Sequence, residues 1–111
     1  MVDRDFLAAV LDSLKQPVLV ANRDHVICFL NEAAARYYPG GRSLLGTRLL
    51  DCHPRPESRD RILRIFAQLE AGADEVCYRE DGERRAFMCA VRDADGCLIG
   101  YYERFEPVRQ A

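Results

Sequence analysis

Lysine is almost absent from this chain, and with it any basic stripe. Of the 16 basic residues all but Lys15 are arginines, scattered through every segment and interleaved with 18 acids to a net charge of −2. That pattern excludes the electrostatic footprint of a nucleic-acid binder. No apolar run approaches the ~20 residues of a membrane span. The N-terminus opens on charged residues, without the apolar core of a signal peptide. Five cysteines, Cys28, Cys52, Cys77, Cys89 and Cys97, form an odd set without one CxxC pair. A secreted disulfide framework is therefore not expected, and the spacing lacks the pairs of a structural zinc site. We expect a cytoplasmic protein with reduced thiols. Also missing are a nucleophile–base–acid set, a glycine-rich phosphate loop and a catalytic carboxylate pair, so an enzyme is not expected. There are no repeats, linkers or low-complexity tracts.

What remains is one domain of 111 residues, long enough to bury a core without disulfides or metals. Over residues 3–15, Phe6, Leu7, Val10, Leu11 and Leu14 fall on one helical face, with Asp3 or Asp5 to cap it and Pro17 to end it. Two short β-rich runs, 17–21 and 25–30, flank the turn Asn22-Arg23-Asp24. Asn31 suits the N-cap of a short helix that Pro39-Gly40-Gly41 stops. Pro56 opens a helix over 57–71 whose buried stripe is Ile62, Ile65, Phe66 and Leu69. Strands near 74–80, 84–92 and 97–105 follow, joined by turns at EDGE and DADG. The order predicts an α+β fold: one antiparallel sheet with helices on one face.

The series VLVANRDHVICFLNEAAARYY, LLGTRLLD and VRDADGCLIGYYERF, in that order and spacing, resembles a PAS domain over residues 5 to about 106. The resemblance implies five antiparallel strands in the order 2-1-5-4-3 and a ligand cavity between sheet and helices. It divides the chain into a flanking helix (1–16), the PAS domain proper (17–106) and a tail (107–111). PAS domains are sensory and dimerising modules, so a homodimer through Phe6, Leu7, Val10 and Leu11 is expected, together with a signalling partner protein of unknown identity. Neither nucleic acid nor membrane is expected among the partners.

The segment GTRLLDCHPRPESRDRIL is similar to the stretch before the long helix in haem-binding PAS domains of bacterial carbon-monoxide-sensing regulators. There a His-Pro supplies the axial imidazole, which implies b-type haem on His53 here. The same segment resembles PAS domains at the end of uncharacterised bacterial proteins, in which CHP recurs without a known haem. Pro54 disfavours helical geometry for His53 and leaves its ring free to face the cavity. Ile62, Ile65 and Phe66 would line one wall, and Ala86, Ala90 and Gly100 would leave room on the sheet. By resemblance, Met88 or Cys77 could offer sulfur as a second axial ligand, each with a plainer reading as core filler or buried thiol. Covalent haem is excluded, because Leu49 stands where C-x-x-C-H needs a cysteine. His25, in a turn, is read as a solvated loop residue.

Three functions follow: a haem-based sensor of CO, O2, NO or redox state, a haem-free module for another small ligand, and a ligand-free dimerisation module. Flavin photochemistry is not expected, since the Asn-Cys-Arg-Phe-Leu-Gln motif of light-sensing relatives is absent.

Overall fold

In the computed structural model, residues 2–108 are described. The chain runs α1 (Arg4–Asp12), β1 (Leu19–Asn22), β2 (Ile27–Leu30), α2 (Glu32–Tyr37), two single-turn 3₁₀ helices (Gly41–Leu44 and Leu49–Cys52), α3 (Pro56–Glu70), β3 (Glu75–Glu80), β4 (Arg84–Arg92) and β5 (Leu98–Pro107). All strand pairs are antiparallel, in the order β2-β1-β5-β4-β3. The expected α+β architecture and strand order are both present. Of the expected tail, Pro107 completes β5 and Val108 donates its amide to Glu83 O, while 109–111 lie outside the described residues.

Side-chain alternation sets the two faces of the sheet. Leu19, Ala21, Met88, Tyr101 and Glu103 point towards α2 and α3, where Ala34, Ile62, Ile65 and Leu69 complete the core. The α3 stripe repeats at helical spacing, and Pro56 occupies the first turn, where its missing N–H costs nothing. Arg92 donates to Leu69 O (2.8 Å) and Ala73 O (3.0 Å), taking up carbonyls at the C-terminal end of α3 and just beyond it. Arg23 donates to Leu98 O and to Glu70, each at 3.0 Å, joining the β1–β2 turn to the same end of the molecule.

Asn31 is the hub at the other end. It is fully buried and uses every hydrogen-bonding valence that matters. Its Oδ1 accepts from the amides of Ala34 (2.9 Å) and Val18 (3.0 Å), and its Nδ2 donates to Leu11 O and Gln16 O, both at 3.0 Å. One side chain therefore caps α2, starts β1 and holds the end of α1. The helix α1 stops at Asp12, short of Lys15, because Ser13 closes it with Oγ donating to Val10 O. Phe6, Leu7, Val10 and Leu14 stay exposed.

Gly100 has a steric cause. A Cβ there would lie 2.5 Å from Ala21 O, because β5 and β1 approach closely at this pair. It lies in the sheet at a backbone contact and does not serve to make room for a ligand, which corrects the role expected from the sequence.

Candidate functional site

The site lies between α3 and the half of the sheet formed by β3, β4 and β5. After the 3₁₀ turn Leu49–Cys52 the chain is extended at His53 (φ −119°, ψ 95°), as Pro54 requires. Its carbonyl accepts from Arg59 Nε (2.7 Å), which ties the loop to the first turns of α3. The half-buried ring lies on the wall of a cavity of about 410 Å³ that Ile62, Ile65, Tyr78, Met88 and Glu103 also line. A second cavity of about 290 Å³ lies against Leu19, Ile27 and Leu49, and it shares His53, Tyr38 and Glu103 with the first. These three side chains form the partition between the two.

Glu103 is the residue the sequence reading missed. It faces the core from β5, with Leu19 of β1 and Met88 of β4 directly opposite it in register, and only 9% of it is exposed. Its Oε2 accepts from Tyr38 Oη (2.9 Å), just past α2, and from Tyr78 Oη (3.0 Å) on β3. Among the described residues Oε1 has no hydrogen-bond partner. Burial pushes the Glu103 carboxyl up from its ordinary value of 4.5, against the opposing pull of the two tyrosine hydrogen bonds and of nearby His53. Burial first, and then the Glu103 carboxyl, drive both tyrosine hydroxyls well above their usual range, so they act as fixed donors. Alternation along GYYERFE puts Glu103 in phase with Tyr101, and that signal could have found it.

The other expected site residues divide. Ile62, Ile65 and Met88 share the cavity with His53. Cys77 does not. Val76 and Cys77 oppose Met88 and Phe87 respectively, so Cys77 belongs to the outer face of the sheet, exposed, and cannot share an iron with His53. Phe66 packs instead against His25 (ring centroids 4.9 Å apart) and Tyr101 (5.7 Å), away from the His53 cavity. His25 also corrects the expectation of a solvated residue. It is buried, with Nδ1 2.7 Å from Tyr101 Oη, and burial, followed by the Arg48 charge, lowers its pKa from 6.5. No group of three or more His, Cys, Asp or Glu side chains among the described residues is arranged to hold a metal ion.

An antiparallel sheet in this strand order, with helices packed over one face and cavities between the layers, defines a domain of the PAS type. The family model described as "PAS fold" matches residues 11–111, and the chain belongs to that family. No curated protein matches it significantly. Among solved structures, a C-terminal domain from Streptococcus mutans is similar at 22% identity and TM-score 0.80, over 97% of this chain and 87% of that one. The PAS domain of BvgS from Bordetella pertussis follows it at 13% identity and TM-score 0.72, over 96% and 86%. A sensory box sensor histidine kinase from Vibrio cholerae gives 18% identity and TM-score 0.65, over 96% and 93%.

Proposed function

We propose that this domain is a non-catalytic sensory module that takes a small ligand into the cavity beneath α3 and passes the change to a partner protein. The observation that carries this reading is the carboxyl of Glu103, buried on the cavity wall with one oxygen unpartnered. A core built only for packing gains nothing from such a group, whereas a pocket uses a few convergent polar atoms to orient what it binds. The sensor histidine kinase among the similar structures supports a signalling role. A homodimer through α1 is part of the proposal, since Phe6, Leu7 and Val10 are exposed beside an apolar groove that Leu11, Leu14 and Val20 line. Five free thiols agree with a cytoplasmic setting, and no helix among the described residues is long and apolar enough to cross a membrane.

The test is a small-molecule library screened by ¹H–¹⁵N NMR on the whole chain. Bound compounds should move the resonances of Tyr38, Tyr78, His53 and Met88. Shifts confined to α1 and the outer sheet face would overturn the reading in favour of an interaction module.

A second reading, b-type haem, is favoured by one observation: His53 and Met88 line the same cavity. Their imidazole and thioether are a suitable donor pair for haem iron, and Ile62 and Ile65 suit the macrocycle. When bound, haem would supply a redox-active centre for CO, O2 or NO, with His53 holding the iron and Met88 the alternative ligand. The Glu103–Tyr38–Tyr78 cluster has no part in such a site, which is why this reading stands second. Haem added to wild type should give a sharp Soret band that His53→Ala loses. Equal weak binding by both would discard it.

A further inference from the structure

We propose that the ligand of this cavity is a small amphoteric molecule, its amine seated on Oε1 of Glu103 and its acidic group held by Arg61 and Arg79. The inference rests on the ligand-binding reading above and gives that site its chemistry.

Three observations support it. The first is the geometry at Glu103. Both tyrosine hydroxyls donate to Oε2, so their protons are spent and the protein presents a single free oxygen to the ligand. No hydrogen bond among the described residues reaches that oxygen, and Glu103 lines the cavity, so an incoming donor can take it. The second is the opposite charge at the rim. Arg61, on α3, and Arg79, on β3, line the same cavity, and neither guanidinium makes an ion pair or side-chain hydrogen bond among the described residues. The third is what lies between. Ile62, Ile65 and Met88 make an apolar wall that suits a short hydrocarbon spacer.

The charged and titratable groups that line the cavity with Glu103 are Tyr37 and Tyr38 from the end of α2, Tyr78 and Arg79 from β3, His53 from the loop and Arg61 from α3; among the described residues no second carboxylate lines it. Without ligand, burial disfavours the charged form of the Glu103 carboxyl, against the pull of the two tyrosine hydrogen bonds. An entering ammonium group favours the charged carboxylate, so a proton held on Oε1 leaves to solvent as the N⁺–H···O⁻ pair forms. A charge-assisted pair in a desolvated site is the stronger kind of hydrogen bond. The acidic end of the ligand meets two forked donors, which favour carboxylate geometry.

The probes are 5-aminovalerate and its one-ended analogues, pentylamine and valerate, titrated calorimetrically into the whole chain at pH 7 in HEPES and in Tris. 5-Aminovalerate should bind about tenfold or more tightly than either analogue. The two buffers should report net proton release on binding, because the ammonium favours the charged form of a carboxyl that burial holds towards the neutral one. Glu103→Gln keeps an oxygen acceptor for the tyrosines. It should lose the proton release and the advantage of the amine, yet still bind valerate. Arg61→Gln with Arg79→Gln should reduce 5-aminovalerate to the affinity of pentylamine. Valerate binding as tightly as 5-aminovalerate, or binding without proton release, would overturn the amphoteric assignment and leave the cavity reading intact. Binding of none of the three would overturn it too, and the library screen would then decide the cavity reading separately.

Discussion

His25 and Tyr101, 76 residues apart, meet in the core with imidazole Nδ1 2.7 Å from the phenolic oxygen. The contact fixes the β1–β2 turn, where His25 has the left-handed backbone angle φ 64°, onto the central strand β5. Tyr101→Phe should cost about 1–2 kcal/mol, because it leaves a buried ring nitrogen unmatched. Because the His25 pKa is lowered, its contribution to stability is present above its unfolded value of about 6.5 and is lost as pH falls through the folded value. Urea unfolding of wild type and Tyr101→Phe, with an NMR titration of the His25 ring, checks both statements. A ring that titrates at or above 6.5 would contradict the second.

The Glu103 carboxyl works in the opposite sense. Its folded pKa is raised, so its stabilising contribution is complete below the unfolded value of 4.5 and is lost as pH rises through the folded one. Glu103→Gln, measured without ligand, should match wild type in acid and become the more stable protein as pH rises. Melting temperatures across a pH series read this directly. A variant that is less stable than wild type at every pH would mean that Glu103 is ionised and held by its surroundings.

Asn31→Ala should be among the most damaging single changes. It removes a helix cap and leaves the Leu11 and Gln16 carbonyls and the Val18 amide without their partner, at a cost of about 2–4 kcal/mol. Asn31→Asp keeps the two accepted bonds and loses the two donated ones. Its hydrogen-exchange protection should fall around Leu11–Gln16 and persist at Ala34.

Phe6→Glu combined with Val10→Glu should leave the fold intact, since both side chains are exposed. Light scattering should give a dimer for wild type at high micromolar concentration and a monomer for the double variant. A wild-type monomer at that concentration would remove α1 from consideration as an interface.

Much of the architecture is visible in local patterns. The α3 stripe, the Asn31 cap and the alternation in β4 and β5 each satisfy a short-range rule, and together they leave few topologies. The site is legible only in part. His53 stands out because Pro54 restricts it, and Ile62, Ile65 and Met88 lie on the predicted inner faces. The face of Cys77 depends on which β3 residues pack inwards: Val76 and Tyr78 meet the core, and alternation leaves Cys77 between them on the outside. Gly100 shows the same limit: its constraint is Ala21 O, a backbone atom far off in sequence. Glu103 was passed over for a different reason. Histidine, methionine and cysteine advertise metal chemistry, whereas a carboxylate among tyrosines becomes a site only once Tyr38 and Tyr78 converge on it.

The bonds from Asn31 to Leu11 and Gln16 have a mechanical meaning as well. They make the C-terminal end of α1 a pivot, while the remainder of the helix carries its apolar side chains out into solvent. A nine-residue helix is about 13 Å long at about 1.5 Å per residue, so a tilt of about 10° at the pivot moves its free end by about 2 Å. The same asparagine caps α2, and Tyr38, just beyond that short helix, carries one of the two hydroxyls on Glu103. Asn31 thus joins α1, whose apolar side chains face solvent, to the short helix that leads to Tyr38 on the cavity wall, so the exposed face and the cavity share one anchor.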